Sequence, residues 1–421
     1  MRPSLLVLIF LVGTVGAGPG DELVSRVDPA KYSIAGEVRY LLYDVNYGEG
    51  FNLRRDVHMR IAIAVKKMRE EGGQNVVLIL PPWGALHHWT DQRTGIAWSE
   101  FFDVDSLNRY TPVLEFAQFV EARTGAVPID RVLYLQHFAE GWGEEYVMKT
   151  ERRTCNEDRG FYREQKDGTW RGWFFGFLEV AAMAFECVSF QGDSGILASL
   201  IIKNYTDSAI FVDRAETVLH EAYGEREYWR ARRAMRYARR LEDRARSYRA
   251  EVLGADGSDD TILPDRWEDE QPKRTTRGGP YVCAHWRRRD FVRAHNKELP
   301  SVEGAGKQIR ALAKEFDVGK VFLATDASQA EIDELRGFLG MDLFLFRAGP
   351  DQELSDGAAA IVEQIICAGA RAFTGSHVST FSYRIQEDRE IRGFPVETTF
   401  RRMCPDDNDK CEQPAKWKIQ Y

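Results

Sequence analysis

One acidic residue near the start of the chain stands between two glycines. Glu49 lies between Gly48 and Gly50, where an apolar strand is predicted to end and a helical pattern begins. The glycines leave the carboxylate uncrowded and the backbone permissive, so Glu49 could reach into a cleft and accept a proton as a general base. An exposed turn residue would fit the same pattern. The spacing does not match a dinucleotide-binding loop, because Leu53 occupies the position of the third glycine.

A run of arginines follows a predicted strand in the second half of the chain. Arg287, Arg288 and Arg289 come directly after His285 and Trp286. Guanidinium groups bind phosphate oxygens through two parallel hydrogen bonds. An arginine at the end of this strand could therefore hold a diphosphate and stabilise the charge on a leaving group. A basic surface cluster without a ligand would explain the same residues.

Two other short segments carry polar groups of possible chemical use. Residues 375–381 (GSHVSTF) offer hydroxyls and backbone N–H groups where a helix is predicted to begin. Such donors suit a phosphate, although serine and threonine also cap helices. Asp103 and Asp105 could form the metal-binding Asp-x-Asp of a nucleotide-sugar enzyme. So short a pattern arises often by chance, and we expect no metal site.

Short apolar runs alternate with helical periodicity along the chain, which predicts α/β structure with parallel sheets. In the front half we predict strands at residues 38–45, 76–80 and 132–135 and a helix at 53–68. In the back half we predict strands at 281–285, 320–324, 343–347 and 372–374, and helices at 303–316, 329–339, 357–370 and from 380 onward. Ligands of such sheets bind beyond the carboxyl ends of the strands, which selects residues 285–290, 325–326 and 375–381.

The length and composition predict a folded protein of two or three domains. The 421 residues are 44% hydrophobic, which is enough apolar surface to offset the ordering entropy. An arginine-rich helix is predicted at residues 226–253 and a polar linker or loop at 254–279. We therefore expect one domain at residues 33–253 and a second at 280–421. The net charge of −8 argues against a nucleic-acid partner, which requires cations to replace phosphate counterions.

The N-terminus predicts entry into the secretory pathway. Residues 1–17 combine a positive start, a short apolar core and small residues at the cleavage site, as in a signal peptide. No later stretch is long and apolar enough to span a bilayer, so we expect a soluble protein after cleavage. Asn204 begins a glycosylation sequon, which has meaning because the chain enters this pathway.

The six cysteines fit an oxidising compartment, which permits disulfides. Cys404 and Cys411 flank a polar loop and are expected to pair with each other. Cys155 and Cys187 are expected to close another loop. Cys283 and Cys367 lie inside apolar runs, and we expect buried free thiols there.

Several segments in the same order resemble one known family. They are residues 39–45 (RYLLYDV), 49–56 (EGFNLRRD), 80–84 (LPPWG), 139–142 (AEGW), 171–174 (RGWF), 378–382 (VSTFS) and 411–414 (CEQP). The chain resembles the protein O-fucosyltransferases of the secretory pathway, and among them the second type, which fucosylates thrombospondin type 1 repeats. The resemblance covers nearly all of the chain after the signal peptide.

The resemblance implies a fold and a reaction. The fold is GT-B, with two Rossmann-like domains facing each other across a cleft that binds GDP-fucose. The reaction is an inverting transfer of fucose to Ser or Thr hydroxyls of folded thrombospondin type 1 repeats, in a Cys-x-x-Ser/Thr-Cys context. The donor is GDP-fucose, no cofactor is required, and the front domain faces the acceptor. We expect a monomer in the lumen of the endoplasmic reticulum.

The resemblance also implies roles for individual residues. The general base is Glu49, and the main contact to the diphosphate is Arg287. The remaining implied binding residues are Gly48, Gly50, Phe51 and Asn52 around the fucose, His285 and Trp286 beside the diphosphate, and Thr380 and Phe381 against the nucleotide. Glu363 is implied in nucleotide recognition, and Asp388 is needed for activity. At these two positions this chain exchanges the family's Asp and Glu, which keeps each charge but moves it along the side chain.

Two other functions fit parts of the pattern. One is the first type of protein O-fucosyltransferase, which acts on EGF-like repeats and matches these segments less well. The other is a non-catalytic lectin or chaperone that binds folded repeats, and such a protein would keep the cleft without needing Glu49. The presence of both Glu49 and Arg287 favours an enzyme.

Overall fold

A computed structural model describes residues 36–421, except for residues 85, 87–88, 91–92, 124–127, 142, 144, 157–161, 178–179, 272, 348–353 and 409. The predicted signal peptide lies outside the described residues. Within the described residues, the chain forms two sheets, one from each half.

Ten strands of the described front half form the first sheet. They are β1 (Arg39–Tyr43), β2 (Val76–Leu80), β3 (Val113–Glu115), β4 (Ile129–Gln136), β5 (Lys149–Arg152), β6 (Arg163–Glu164), β7 (Trp170–Arg171), β8 (Ala182–Asp193), β9 (Ala209–Asp213) and β10 (Val218–Leu219). Its central strands run parallel in the order β3-β2-β1-β9-β4-β8. The strands β5 and β7 pair with β8 in the antiparallel direction. The chain therefore leaves β1 towards β2 on one side and returns much later, as β9, on the other.

Helices pack on this sheet and connect it to the back half. They are α1 (Phe51–Glu70), α2 (Val104–Asn108), α3 (Phe116–Ala122), α4 (Ser194–Asn204), α5 (Arg226–Ala234) and α6 (Arg239–Glu251), with 3-10 turns at Trp98–Glu100, Ala215–Thr217 and Trp267–Asp269. The helix predicted at 226–253 is in fact two helices. It is interrupted because the intervening backbone bonds to the front half: Arg236 accepts from the N–H of Asp103 (2.9 Å), and the N–H of Ala238 donates to Phe101 (3.0 Å).

The second sheet consists of five parallel strands in the order β13-β12-β11-β14-β15. They are β11 (Gly279–Trp286), β12 (Lys320–Thr325), β13 (Asp342–Phe344), β14 (Ala370–Gly375) and β15 (Arg401–Arg402). The helices of this half are α7 (Arg289–Ala294), α8 (Val302–Glu315), α9 (Gln329–Leu339), α10 (Asp356–Ala368), α11 (Thr380–Ile391) and α12 (Val396–Thr399). This is the Rossmann arrangement, in which the strand order reverses between the first strand and the fourth. Here the reversal lies between β11 and β14.

The apolar core is continuous between the halves. One cluster of buried side chains includes α1, the aromatic residues near Trp98 and, from the back half, β11 and α10. Gly357 on α10 marks the close approach, because a Cβ at this position would lie 2.8 Å from the rings of Phe101 and Trp89. Two smaller clusters cover the opposite faces of the two sheets. The limits predicted for the domains stay a prediction, but the two sheets meet over a shared apolar interface.

Three disulfides join the six cysteines. The bonds Cys155–Cys187 and Cys404–Cys411 confirm two predictions. The expectation of free thiols at Cys283 and Cys367 was wrong, because these two residues form the third disulfide, with Cα atoms 5.1 Å apart. Cys283 lies on β11 and Cys367 on α10, which packs directly over that strand. Burial in apolar surroundings therefore reflects a cross-link inside the core rather than a pair of inert thiols.

Candidate functional site

The loop that carries Glu49 follows β1, at the point where the order of the front sheet reverses. Crevices at such reversals, beyond the carboxyl ends of the strands, are where open α/β sheets bind ligands. The backbone of this loop is tied to the end of β9, because the N–H of Ala215 donates to the carbonyl of Asp44 (2.9 Å). Glu49 is half-buried, immediately before the first residues of α1.

Arg54 fixes the shape of this loop. Its guanidinium forms an ion pair with buried Asp44 (2.8 Å). It also donates to the backbone carbonyls of Glu49 (3.1 Å) and Asn46 (3.4 Å). On the other side, Glu216 accepts from the N–H of Asn46 (3.1 Å). Hydrogen bonds from Arg54 and to Glu216 thus fix the backbone on both sides of Glu49, and Glu49 is carried on a fixed loop.

Burial and the charged groups around Glu49 change its proton affinity. Burial raises the pKa of Glu49, the negative charge of Glu216 raises it further, and Arg54 and Arg214 oppose the shift. Nearby, burial beside Asp44 raises the pKa of Asp213 to about 7. A carboxylate whose pKa lies above the usual range is a stronger base once it is ionised, which suits proton abstraction near neutral pH.

The two residues that follow Glu49 have structural features that bear on their predicted roles. Gly50 has φ −78° and ψ 167°, a conformation open to any residue, so the glycine contributes space rather than an unusual backbone. Phe51 was expected beside the fucose, but its side chain is buried against Trp83 (ring centroids 4.9 Å apart) and Phe101 (5.4 Å). The Phe51 side chain thus anchors the start of α1 in the core, and the implied role of this residue in lining the fucose stays a prediction.

Arg287 follows β11, at the reversal point of the back sheet. Its guanidinium forms ion pairs with Asp290 (2.8 Å) and Asp326 (3.2 Å), and its backbone N–H donates to Ser376 (2.9 Å) at the end of β14. Two carboxylates therefore hold the guanidinium at the carboxyl edge of the sheet, where a diphosphate would compete for it.

His285 is buried and stacks on Phe381, with ring centroids 4.3 Å apart. Its Nδ1 shares a hydrogen bond with Ser382 Oγ (2.8 Å). Burial, with a further contribution from Arg287, lowers the pKa of His285 to about 3, so the ring is neutral. These contacts join the end of β11 to the first turn of α11, as expected of residues that share one site.

Trp286 does not take part in this cluster. Because side chains alternate along a strand, Trp286 points away from His285 and is fully buried in the apolar core on the other face of the sheet. The implied place of Trp286 in the strand-end site stays a prediction, and with its side chain buried that role would fall to its backbone. Its ring instead packs under Arg288, whose guanidinium carbon lies 4.8 Å from the ring centroid.

The turn from β14 into α11 is close-packed and strained. A Cβ on Gly375 would lie 2.5 Å from Ser382 Oγ, so only glycine permits this approach. Val378 has φ 44°, which is a genuine outlier for a β-branched residue. Such strain is concentrated at ligand-binding sites. Thr380 is exposed and Phe381 is half-buried at the start of the helix, where both are accessible to a nucleotide.

The first turn of α1 bonds directly to the back half. Gln364 on α10 donates to Asn52 Oδ1 (2.9 Å) and accepts from Arg55 (2.7 Å). One turn later, Asp56 pairs with Arg384 on α11 (3.3 Å).

These contacts bring the starts of two helices near one another. A helix rises about 1.5 Å per residue, so the N-termini of α1 and α11 each lie only about 6–8 Å along the helix from the Asp56–Arg384 pair. Glu49 precedes one of these N-termini, and Phe381 lies at the other. The convergence of Glu49 and Arg287 on one ligand remains a prediction; the contact observed is between α1, which follows Glu49, and α11, which carries Phe381.

The two acids implied in activity occupy different surroundings. Asp388 is buried and accepts hydrogen bonds from Arg232 and from Tyr237 (2.7 Å). Glu363 is partly buried on α10, and burial raises its pKa to about 8 against the opposing charge of Arg347. Among the described residues, no hydrogen bond or ion pair is found at the Glu363 carboxyl group, and its role in nucleotide recognition stays a prediction.

A cavity of about 460 Å³ opens between the halves at the start of α10. It is lined by Arg93, residues 94–97, Glu100 and Arg240 on one side and by Leu354, Ser355 and Ala358 on the other.

One of the two aspartates considered as a metal motif has a structural role. Asp103 caps α2, because its carboxylate accepts a hydrogen bond from the N–H of Ser106 (3.0 Å). In the part of the chain that the structure describes, no group of three or more His, Cys, Asp or Glu side chains is placed to hold a metal.

Residues 40–392 match the family model described as GDP-fucose protein O-fucosyltransferase. The chain belongs to the GDP-fucose protein O-fucosyltransferase family. It is 51% identical to GDP-fucose protein O-fucosyltransferase 2 of Caenorhabditis elegans, over 99% of both chains. It is 43% identical to the protein of that name in Homo sapiens, over 99% of this chain and 100% of the relative. This family transfers fucose from GDP-fucose to proteins, and the chain is an enzyme of that class.

Solved structures agree on the fold. POFUT1 in complex with GDP-fucose superposes with a TM-score of 0.58 at 15% identity, covering 88% of this chain and 99% of that chain. POFUT1 in complex with GDP gives 0.54 at 16% identity, covering 84% and 94%. The predicted GT-B fold is thereby confirmed. GDP-fucose is the donor substrate of this family. Over the described residues, no helix has the length and apolarity needed to cross a membrane.

Sequence reasoning missed the residues that hold the site together, among them Arg54, Arg55 and Gln364. One signal was present: α1 carries arginines near its N-terminus, where the helix dipole disfavours cations. Cations in that position require specific acceptors, and here the acceptors are Asp44, backbone carbonyls and Gln364.

Proposed function

We propose that this enzyme transfers fucose, with inversion, from GDP-fucose to Ser or Thr hydroxyls of folded thrombospondin type 1 repeats. One observation carries the proposal. Glu49 and Arg287 each follow the strand at which the order of its sheet reverses, and such positions bind ligands in α/β folds. In this proposal the acid and the guanidinium face one cleft from its two halves. A hydrogen bond between Gln364 on α10 and Asn52 on α1, which joins those halves, supports it.

The proposed reaction is a single displacement. The acceptor oxygen forms a bond to the anomeric carbon as the bond from that carbon to the phosphate oxygen of GDP breaks. The electron pair of the broken bond leaves with GDP, and the hydroxyl proton passes to the Glu49 carboxylate. Attack from the face opposite GDP inverts the anomeric configuration.

Each residue contributes a separate part of the stabilisation. Glu49, with its raised pKa, should accelerate transfer by about 10²–10⁴-fold as the general base. Arg287 stabilises the negative charge that develops on the leaving diphosphate. Its guanidinium is held in position before the reaction begins, so it need not reorganise. Glu363 recognises the nucleotide base through its carboxylate, and Thr380 and Phe381 line the nucleotide. His285 stays neutral and orients Phe381 through stacking.

The acceptor class and the cellular setting are part of the same proposal. The relatives named as type 2 at 43–51% identity support the type that acts on thrombospondin repeats. Three disulfides support an oxidising compartment, and we assign the enzyme to the lumen of the endoplasmic reticulum as a monomer. Asn204, exposed at the end of α4, is the proposed site of its own glycosylation.

Mass spectrometry of a folded recombinant thrombospondin repeat after incubation with the enzyme and GDP-fucose tests the proposal. We expect the mass of one fucose on the Ser or Thr of the Cys-x-x-Ser/Thr-Cys segment, and NMR of the product should show the anomeric configuration opposite to that of the donor. A folded EGF-like repeat and a reduced thrombospondin repeat serve as controls and should remain unmodified. Binding of the folded repeat without transfer would instead indicate a lectin or chaperone.

A further inference from the structure

Two large aromatic side chains are exposed beside the loop of the general base. Tyr47 is 52% exposed and Trp173 is 40% exposed, although most aromatic residues of the described front half are buried. Their rings meet edge to face, with centroids 6.3 Å apart and planes at 88°. Tyr47 precedes Glu49 by two residues, and Trp173 lies in the loop between β7 and β8.

Both aromatic residues stand on fixed backbone. The residue before Tyr47 is fixed by two hydrogen bonds: the N–H of Asn46 donates to Glu216, and the carbonyl of Asn46 accepts from Arg54. Trp173 precedes Phe174, which is fully buried, and Phe175, which adopts the left-handed conformation with φ 56°. Rigid exposed aromatic side chains lose little entropy when a partner covers them, which is why they are common at the centres of interfaces.

The reaction itself brings a partner to this place. The acceptor hydroxyl must come within hydrogen-bond distance of Glu49. A folded module is far larger than a hydroxyl group, so its surface must also cover the side chains that flank Glu49 on the solvent side. Tyr47 belongs to the same loop, and Trp173 is in ring contact with it.

We propose that Tyr47 and Trp173 form the docking platform for the folded protein acceptor, packing against the small module whose hydroxyl reaches Glu49. This inference rests on the proposed function, because the occupant is the repeat that the enzyme modifies. The platform contributes affinity for the folded module and takes no part in binding GDP-fucose.

Steady-state kinetics with a folded thrombospondin repeat test the platform. We expect Tyr47→Ala and Trp173→Ala each to raise the KM for the repeat by about tenfold or more. The double variant should raise it by less than the product of the single effects, because the two rings touch. Tyr47→Phe and Trp173→Phe should restore most of the affinity. Ile262→Ala removes a side chain that is 90% exposed elsewhere and should change nothing.

The donor side provides the second measurement. The KM for GDP-fucose and the slow release of GDP in the absence of acceptor should stay within about twofold of wild type in every variant. An unchanged KM for the repeat in the double variant would overturn the platform while leaving the proposed function intact. A variant that loses acceptor-free GDP release as strongly as it loses transfer to the repeat would also overturn the platform. Tyr47 and Trp173 would then be acting by holding the loop that carries Glu49. A wild-type enzyme that never modifies the repeat would instead remove the proposed function, and the platform with it.

Discussion

Glu49 and Asp388 are both acids that the family resemblance connects with activity, but their surroundings are opposite. Glu49 is half-buried on a loop, and among the described residues no side chain donates a hydrogen bond to its carboxylate. Asp388 is buried on α11, and its two carboxylate oxygens accept hydrogen bonds from Arg232 and Tyr237. A general base must exchange its proton with a substrate, and only Glu49 is in a position to do so.

The surroundings of Asp388 indicate a different kind of contribution. Arg232 on α5 binds Asp388 and Glu387 together, and Tyr228 donates to Glu387 as well. These buried bonds fasten α5 to α11, the helix whose first turn carries Phe381. We therefore propose that Glu49 acts on the substrate, whereas Asp388 acts through the position of α11.

The largest effect should come from Glu49→Gln, which keeps the shape of the side chain and removes its basicity. We expect transfer to a folded repeat to fall by about 10²–10⁴-fold. Thermal unfolding should not change, because no other residue in the described part of the chain is bonded to this carboxylate. Initial rates measured by mass spectrometry and a melting curve check both parts. Glu303→Gln, an exposed acid on α8, is the matched control. A Glu49→Gln enzyme with near-normal turnover would remove Glu49 from the reaction.

Asp388→Asn should lose activity and stability together. Removing one partner of a buried ion pair costs up to about 3–5 kcal/mol, because a buried charge is left without compensation. Asparagine still accepts from Tyr237, and Glu387 remains beside Arg232, so we expect the lower part of that range. Denaturant unfolding measured alongside the transfer rate provides the check. Full stability with lost activity would contradict the comparison and place Asp388 among the groups that touch the substrate.

Glu216→Gln should produce a smaller shift in the pH profile. Glu49 works in its ionised form, so activity is lost as the pH falls through the raised pKa of that carboxyl. The negative charge of Glu216 raises this pKa, and its removal should move the acidic limb of kcat/KM to lower pH by less than about one unit. Glutamine keeps the acceptor for the N–H of Asn46. An unmoved limb, or one displaced to higher pH, would count against Glu49 as the titrating base.

Chelation should have the smallest effect. Arg287 is proposed to stabilise the leaving diphosphate, so EDTA should leave the transfer rate within about twofold of the untreated enzyme. The rate is measured before and after dialysis against EDTA, with Mn²⁺ added back as the control. Complete loss that Mn²⁺ reverses would support a metal at Asp103 and Asp105 and would weaken the assignment of Arg287.

Local patterns predicted the central buried elements, because burial imposes the period of a strand or a helix on the sequence, but in the front half they located only three of the ten strands. The strand at Val76–Leu80 and the helix at Gln329–Leu339 lie where the apolar spacing placed them. The interruption after α5 was missed, since it depends on backbone bonds to Phe101 and Asp103 more than a hundred residues away. No local pattern contains that information.

The site shows the same division. Motif spacing and family resemblance singled out Glu49 and Arg287 as the candidate chemical groups. They did not predict that the side chains of Phe51 and Trp286 lie in the apolar core. The cross-link between Cys283 and Cys367 spans 84 residues and becomes visible only when α10 packs on β11. Side chains that act through tertiary contacts, such as Arg54, carry no motif of their own.

The most direct test of the account is a crystal structure of the Glu49→Gln enzyme with GDP-fucose bound. We predict the diphosphate within hydrogen-bond distance of the Arg287 guanidinium, at about 3 Å. We also predict residue 49 facing the anomeric carbon on the side opposite GDP, with room between them for one hydroxyl about 3–3.5 Å from the reacting carbon. A diphosphate bound away from Arg287, or residue 49 on a surface that the sugar does not face, would contradict the account.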